Sequence, residues 1–386
     1  MAYTKVKPDM VDSLATTKLT GAFGSNDASA LTGIGDGVTK NASDPTVSTN
    51  PAGGVGTLWS NTTTGETYSC TDATTDDNVW INVGSGSGNV EPYTFDAVGD
   101  RGVWVDTGKD NSAAHMQYIS IPTLGNATTF GNTTVIRNGP PGAASNGTRG
   151  VVGGGYQYSS GTYRNDIDYV TISTPGNATD FGDLVTIRSA LGAAGNVTRA
   201  IFSNGHGTSG HGDMRPNIDY ITTATTGNAT NFGTSTISAT YVDGCADDTR
   251  ATFWGGLGNP WAVYHNRIDY VTIATTGNAT DFGDMLNGAG EMSVSSNGVR
   301  GIGFGEDNPV TNVIQYITLA TTGNATDFGD MGATSTACGS VANDTRAVVA
   351  RNNNPRPTEY VTIATTGNAL TFGQVGSYAA NSLSGD

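Results

Sequence analysis

Two histidines and an aspartate lie in the glycine-rich stretch NGHGTSGHGD and have side chains able to ligate a metal ion. His206, His211 and Asp213 offer imidazole nitrogens and a carboxylate, which are ligands for a transition metal. The five-residue spacing of the histidines fits neither a helical nor a zinc-finger arrangement. We therefore predict no metal here and interpret the stretch as an exposed loop, the kind of segment in which binding functions collect.

Pairs of aspartates three residues apart offer a second set of ligands, because Ca²⁺ binds through several oxygens. The pairs are Asp180 with Asp183, Asp281 with Asp284, and Asp327 with Asp330. In the related segments these positions hold Thr, Asn or Gln, as in Thr129 with Asn132. Short polar residues also satisfy the amides of turns, so a turn accounts for the pattern without calcium. We predict that the protein carries no cofactor.

The remaining chemical motifs do not predict a catalytic site. GVVGGG at residues 150–155 is rich in glycine, but no Lys follows it as in a phosphate-binding loop. His115 and His265 have no partner at a spacing typical of catalysis. Five Asn-Ala-Thr triplets match the acceptor pattern for N-linked glycans, but they recur with the repeat described below. We predict that the protein is not an enzyme.

Composition limits the partners. The 386 residues carry a formal net charge of −16, and Lys is absent after Lys109, which argues against a nucleic-acid surface. No apolar leader and no run of about 18 apolar residues is found, so we expect no membrane insertion and no export by the usual signal. Three cysteines, Cys70, Cys245 and Cys338, are too few for a disulfide framework, and we expect small buried thiols.

The elements that position these residues come from a repeat of about 50 residues. Six segments resemble YVTIATTGNATDFGDM, and they begin at Tyr118, Tyr169, Tyr220, Tyr270, Tyr316 and Tyr360. An arginine and a short apolar run precede each segment, at Arg101, Arg149, Arg199, Arg250, Arg300 and Arg346. Because the guanidinium fork suits fixed hydrogen-bonded positions, we interpret these arginines as structural.

Each repeat contains four strand candidates, which is the content of one propeller blade. They are the run after the arginine, the YVTIAT segment, the ATDFGD segment and a weaker one such as VTIRSAL. A Gly-Asn pair is expected to reverse the chain between the second and third of these, and the glycines are Gly125, Gly176, Gly227, Gly277, Gly323 and Gly367. The sequence predicts an all-β fold with a six-bladed β-propeller, which material from both termini would close within one blade.

Three regions follow along the chain. Residues 1–56 are expected to form an extended arm with a short helix near Asp9. Residues 57–92 are expected to form a small β module anchored by Trp59, Tyr68 and Trp80, followed by a Gly/Ser linker. Residues 93–386 hold the repeats.

Two resemblances rest on these motifs. The arginine-led strands, as in RATFWGG, resemble kelch-type β-propeller repeats, although Phe stands where kelch blades carry Trp. IDYVTIATTGNATDFGD is similar to repeats of virion proteins from tailed phages, particularly those of marine cyanobacteria. KPDMVDSLATTKLTG and GTLWSNTTTGETYSC are similar to the leading segments of phage tail-fibre proteins. The resemblance implies a virion protein, on tail or head, with an anchored N-terminal region and an outward propeller.

The expected function is therefore attachment to a host surface by a fibre or adhesin. Residues 1–56 would bind other virion proteins, and a homo-oligomer such as a trimer is expected. The ligand-facing candidates lie in the loops that differ between repeats: Tyr156, Tyr158, Tyr163, His206, His211, Asp213, Trp254 and Trp261. Two alternatives remain open, namely a propeller that binds or depolymerises glycans and an architectural or capsid-decorating protein without a ligand.

Overall fold

The computed structural model describes residues 38–83, 95–106, 114–208, 210–259, 263–336, 339–352, 356–376 and 379–385. Contacts divide the chain into two compact units, Met1–Tyr93 and Thr94–Asp386. The described residues form strands and loops with a single 3-10 turn at Gly210–Asp213 and no α-helix, which confirms the predicted all-β class. The helix expected near Asp9 and the linker at residues 84–89 lie outside the described residues.

The first unit contains one four-stranded sheet, formed by β1 (Val38–Asn41), β2 (Leu58–Asn61), β3 (Thr67–Asp72) and β4 (Val79–Asn82). Its core is Trp59, Tyr68, Cys70 and Trp80, as the aromatic pattern predicts. The rings of Trp59 and Trp80 meet edge to face at 5.9 Å. β1 pairs with β2 in parallel, so residues 38–41, within the predicted arm, belong to this sheet.

The second unit contains six four-stranded sheets among its described residues, which we number 1 to 6 along the chain. Sheet 1 contains β5 (Arg101–Asp106), β6 (His115–Ser120) and β7 (Thr128–Asn132). Sheet 2 contains β8 (Gly142–Ser145), β9 (Arg149–Gly153), β12 (Asp166–Thr171) and β13 (Thr179–Asp183), with a hairpin of β10 (Tyr156–Gln157) and β11 (Thr162–Tyr163) between β9 and β12. Sheet 3 contains β14 (Gly192–Gly195), β15 (Arg199–Ser203), β16 (Asn217–Thr222) and β17 (Thr230–Thr234).

The other sheets repeat this order. Sheet 4 contains β18 (Asp243–Ala246), β19 (Arg250–Trp254), β20 (Arg267–Thr272) and β21 (Thr280–Asp284). Sheet 5 contains β22 (Ser293–Ser296), β23 (Arg300–Asp307), β24 (Val310–Thr318) and β25 (Thr326–Asp330). Sheet 6 contains β26 (Gly339–Ala342), β27 (Arg346–Ala350), β28 (Pro357–Thr362) and β29 (Leu370–Gln374). The last strand, β30 (Ala379–Gly385), pairs with β5 and is the first strand of sheet 1.

Small residues form the first strands of the sheets, as in GAAG of β14 and SVSS of β22. Each first strand contacts the first strands of two other sheets: β8 contacts β30 and β14, β18 contacts β14 and β22, and β26 contacts β22 and β30. The segment VTIRSAL, predicted to be a strand, is instead the connection that leads into β14. Apolar periodicity pointed to the wrong segment, because strands that crowd together admit only small side chains.

Apolar cores lie between successive sheets. One core joins Phe181 of sheet 2 to Leu191 and Phe202 of sheet 3, and another joins Trp104 of sheet 1 to Phe372 of sheet 6. Full burial of one such aromatic or aliphatic side chain contributes about 1.5–3 kcal/mol to folding. The third strands of sheets 2 to 6 are covered on both faces, since each of them contains two adjacent buried residues. The third strand of sheet 1, β6, has no such pair.

Candidate functional site

A layer of stacked arginines and tyrosines lies where each second strand begins. The guanidinium carbon of each repeat arginine lies 4.4–5.2 Å from the ring centroid of the tyrosine in its own sheet. The edge of that tyrosine ring meets the phenylalanine of the fourth strand, as in Tyr270 and Phe282 at 5.9 Å. Cation–π contacts of this kind contribute roughly 0.5–2 kcal/mol.

Each of these arginines also donates to a backbone carbonyl of the following sheet. Arg149 Nη1 lies 2.7 Å from the Thr223 oxygen, and Arg199 Nη1 lies 2.7 Å from the Ile273 oxygen. The same contact leads from the last repeat to the first, because Arg346 Nη1 donates to the Pro122 oxygen over 2.7 Å. The corresponding donors in the other sheets are Arg101, Arg250 and Arg300. The six arginines therefore connect successive sheets through fixed carbonyl contacts.

The Gly-Asn pair does not form the reversal between the third and fourth strands. In sheet 4 the chain turns earlier, where the Thr275 N–H donates to the Thr272 carbonyl over 3.1 Å. The Gly277 N–H instead donates to the carbonyl of Phe232 in sheet 3 over 2.9 Å. The prediction for this pair is therefore wrong: the residue types suited a turn, but their amides pair with the preceding sheet.

The same contact recurs around the unit. The Asn278 side-chain oxygen accepts a hydrogen bond from the Thr234 N–H of sheet 3 over 3.1 Å. The backbone contact recurs with the N–H groups of Gly125, Gly227, Gly323 and Gly367, which donate to the carbonyls of Phe372, Phe181, Phe282 and Phe328. In sheet 2, where Gly176 takes this position, Asn177 accepts from the Asn132 N–H. The Asn-Ala-Thr triplets thus owe their asparagine to a junction between sheets.

A glycine after each of these phenylalanines lets the sheets approach. A Cβ atom added to Gly233 would overlap the Gly277 carbonyl of sheet 4, and one added to Gly373 would overlap the Gly125 carbonyl of sheet 1. Glycine is the residue that permits such close backbone contact.

The loops that differ between repeats join the second and third strands, at the opposite end of the sheets from the arginine layer. In sheet 2, Arg149 pairs with Thr171 at one end and Gly153 pairs with Ile167 at the other, where the loop begins. The β10–β11 hairpin lies in this loop, with Tyr156 directly opposite Tyr163. We call this end of the unit the loop face.

A tyrosine cluster occupies the loop face, and its members are Tyr156, Tyr158, Tyr163, His206 and Tyr241. The Tyr156 ring centroid lies 4.5 Å from that of Tyr163 and 5.1 Å from that of Tyr158. The His206 ring lies 5.6 Å from Tyr163 and 6.4 Å from Tyr241. Loops of sheets 2 and 3 and the connection to sheet 4 are therefore brought together, and Tyr158 remains 51% exposed on this surface.

His206 and Tyr241 are held firmly in the cluster. His206 is buried, and its Nδ1 lies 2.7 Å from the Thr240 hydroxyl oxygen. Tyr241 has a backbone φ of 57°, which is rare for a bulky residue and costs of order 1–3 kcal/mol. Backbone strain of this kind collects at binding sites. The Tyr241 N–H is nevertheless satisfied, because it donates to the Ala190 carbonyl over 2.8 Å.

Acidic residues border the tyrosine cluster. Burial raises the pKa of Tyr241, and the negative charge of Glu291 raises it further. Burial raises the pKa of Tyr158 as well, with further contributions from Tyr156 and Glu291. The phenols stay protonated at neutral pH and can donate hydrogen bonds. This surface therefore suits a ligand that carries hydroxyl groups.

The predicted ligand-facing residues divide among three surroundings. Tyr156, Tyr158, Tyr163 and His206 lie together in the tyrosine cluster, and Asp213 lies beside it in an ion pair with Arg215 at 2.7 Å. Trp261 and the His211 side chain lie outside the described part of the chain. Tyr241 and Glu291 were missed, since they lie in connections between sheets and no repeat motif marks them.

Trp254 is a correction to the sequence prediction. It is fully buried in a core between sheets 4 and 5, and its Nε1 donates to the Thr252 hydroxyl over 3.0 Å. Trp254 ends β19, which is buried on both faces, so its side chain lies in the core instead of facing the loop surface.

Metal-ligating side chains do not cluster in the part of the chain that the structure describes. No group of three or more His, Cys, Asp or Glu residues there could hold a metal ion. Asp180, Asp281 and Asp327 are exposed on the fourth strands. Cys70 and Cys245 are free and buried, as expected, whereas Cys338 lies outside the described residues. Among those residues no helix has the length and hydropathy needed to span a bilayer.

Comparison with protein families and with curated proteins gives no relative from which a site could be transferred. No family model matches the chain, and no curated protein matches it. The assignment of function therefore depends on the geometry of the loop face and of the repeats.

Proposed function

We propose that the second unit is a six-bladed β-propeller that acts as a non-catalytic attachment module. The single observation that carries this proposal is the order of contacts between first strands, which runs from β8 to β26 and returns through β30 to β8. The Arg346 contact with Pro122 and the pairing of β30 with β5 support the same closure. Sheets linked in this way form a rigid support for loops of unrelated sequence.

The loop face is the attachment surface in this proposal. It gathers three tyrosine rings and a histidine within 4.5–5.6 Å of their neighbours, and it exposes Tyr158. Tyrosines of this kind supply large contact areas at low entropic cost.

The proposed setting is a phage virion. The phage-like repeat and the leading segments support a place on tail or head, with the N-terminal region bound to other virion proteins and a homo-oligomer on the particle. The net charge of −16 favours neither nucleic acid nor an anionic membrane as a partner. The partner of the loop face is a receptor on the host surface.

Cell binding tests the proposal. Labelled full-length protein is incubated with intact host cells, and binding is measured for the wild type and for Tyr158→Ala. Leu124→Ala is the matched control, because Leu124 is 55% exposed but lies in a turn at the opposite end of sheet 1. We expect saturable binding that Tyr158→Ala weakens about tenfold, as for an interface hot spot. Binding that is absent, or equally strong in both variants, contradicts attachment through the loop face.

Particle imaging tests the setting. Negative-stain images of virions with a gold label on residue 1 should place the label against the particle and the second unit outward. Six lobes in averages of the isolated protein are expected from the propeller. The opposite orientation, or another number of lobes, would be incompatible with it.

A further inference from the structure

Three grooves of the same composition lie on sheets 3, 4 and 5, away from the loop face. The groove on sheet 4 is lined by Tyr270, Thr272, Thr275, Thr276, Asn278 and Thr280. The equivalent residues line the grooves on sheets 3 and 5. The three grooves hold about 370, 180 and 170 Å³ on sheets 4, 3 and 5. The groove on sheet 4 reaches the size of a small-molecule site, and the grooves on sheets 3 and 5 are smaller.

The hydroxyl groups of these grooves are available to a ligand. Within the described part of the chain, the side chains of Thr272, Thr275 and Thr276 make no hydrogen bond, and all three are exposed. Thr280 is exposed as well. Asn278 uses its side-chain oxygen to accept from Thr234, which leaves its amide NH₂ as a donor. Each groove thus offers several neutral donors and acceptors beside the ring of its tyrosine.

Packing does not explain why the exposed threonines recur. Val271 and Ile273 are buried, so their recurrence in the repeats follows from the core. Thr275 and Thr276 contribute to no core, yet both recur in the repeats of sheets 3, 5 and 6, whose second-to-third-strand loops differ from that of sheet 4 in length and sequence. These threonines recur at exposed positions although the neighbouring loops differ. Their recurrence indicates a shared ligand.

The chemistry of the grooves selects the ligand class. No charged side chain lines them, and the acidic chain repels anions. The Arg250 guanidinium stacks on one face of the Tyr270 ring. This contact holds the ring in place at the groove. An aromatic surface with neutral hydroxyl and amide groups fits the C–H face and the hydroxyls of a sugar ring.

We infer that these three grooves are saccharide sites, each for one neutral sugar residue of a surface glycan. The inference rests on the proposed attachment function and deepens it, because it adds three equivalent sites per chain to the loop face. A single groove is shallow and binds weakly, but simultaneous occupation by one polymer raises the avidity about 10²–10⁴-fold.

The chain itself supplies the test substitution. At the position of Thr276, the repeat of sheet 1 carries Leu124, so the same backbone accepts leucine there. The test variant is therefore Thr226→Leu, Thr276→Leu and Thr322→Leu combined in the full chain. Thr280→Leu is a second variant that uses another side chain of the groove, since sheet 6 carries Leu370 at that position.

Saturation-transfer NMR provides the readout, with glucose, galactose, mannose, fucose and N-acetylglucosamine as separate probes. We expect transfer to at least one sugar in the wild type, loss of that transfer in the triple variant, and retention in Tyr158→Ala. Thr276→Leu or Thr280→Leu alone should reduce the transfer relative to the wild type without abolishing it. No transfer to any of the five sugars, or transfer that the triple variant leaves unchanged, overturns the inference.

Cell binding separates this inference from the proposed function. Loss of cell binding in Tyr158→Ala with unchanged sugar transfer in the triple variant overturns the groove sites and leaves the loop face in place. If sugar transfer depends on the threonines but Tyr158→Ala does not affect cell binding, the groove sites stand and attachment through the loop face is overturned. Unfolding temperatures of all variants are measured first, and the single variants serve if the triple variant does not fold.

Discussion

Asp243→Asn is expected to remove a pH dependence from the stability of the protein. Asp243 begins β18, where the first strands of sheets 2 and 3 carry Gly142 and Gly192. Its carboxylate accepts hydrogen bonds from the N–H groups of Gly244 and Val294, both at 2.8 Å. Burial raises the pKa of Asp243 from its ordinary value of 3.8 to about 7, because the loss of hydration outweighs these hydrogen bonds.

The sign and size of the effect follow from linkage. Between the ordinary pKa and the raised one, the folded protein binds a proton that the unfolded chain does not, so the free energy of unfolding falls as pH rises. A shift from 3.8 to about 7 corresponds to roughly 4 kcal/mol at about 1.4 kcal/mol per pKa unit. This value is an upper limit, since Asp243 is only partly buried and solvent screens its charge.

Denaturant unfolding of the wild type and Asp243→Asn between about pH 4 and pH 8 measures the effect. The two proteins should be nearly equal at the lowest pH, and the variant should become more stable as pH rises, until the difference levels off above about pH 7. Asp281→Asn is the control for removal of one negative charge, because Asp281 is exposed on a fourth strand. A stability difference between wild type and Asp243→Asn that does not vary with pH would refute the reasoning.

Three further predictions concern the junctions between sheets and a buried carboxylate. Gly233→Ala should lower the free energy of unfolding by about 1–3 kcal/mol, since the added Cβ would overlap a backbone carbonyl. The control Gly277→Ala should change this free energy little, because its Cβ meets no atom within 4 Å. Equal losses for the two variants in denaturant unfolding would contradict the close approach of the sheets. Arg346→Ala should lower the free energy of unfolding by about as much as Arg199→Ala, roughly 1–3 kcal/mol, because both arginines donate to the next sheet. A negligible change for Arg346→Ala alone would show that the last and first sheets do not join. Glu306→Gln should gain stability relative to the wild type as pH rises above 4.5, since burial raises the pKa of the fully buried Glu306. If thermal unfolding at several pH values shows no such gain, burial of the Glu306 charge does not destabilise the protein.

The sequence predicts most of the strands, because each of these strands has a recognisable local pattern of residues. Alternation in YVTIAT, the arginine before each short apolar run and the aromatic residues Trp59 and Trp80 all indicate strands that the structure contains. A period of about 50 residues is visible without any knowledge of contacts. The first strands were not identified from the sequence, because GAAG and SVSS show neither alternating β-branched residues nor large apolar side chains.

The candidate site was predictable only in part. Tyr156 and Tyr163 were identifiable because aromatic residues in a loop that differs between repeats stand out in the sequence. Trp254 carried the same signal but lies in the core, since both faces of its strand are covered by other sheets. Tyr241 and Glu291 reach the loop face from other sheets, so sequence separation conceals their proximity to the cluster.

The sequence by itself determined the repeat, the all-β class and the residues that recur, because periodicity and residue type are local properties of the chain. Only the tertiary structure decided what the recurring residues do. Gly277 and Asn278 looked like a hairpin reversal, but their hydrogen bonds pair with Phe232 and Thr234 of the preceding sheet. Such contacts depend on how two sheets approach each other in space, and no spacing within a single repeat records that approach.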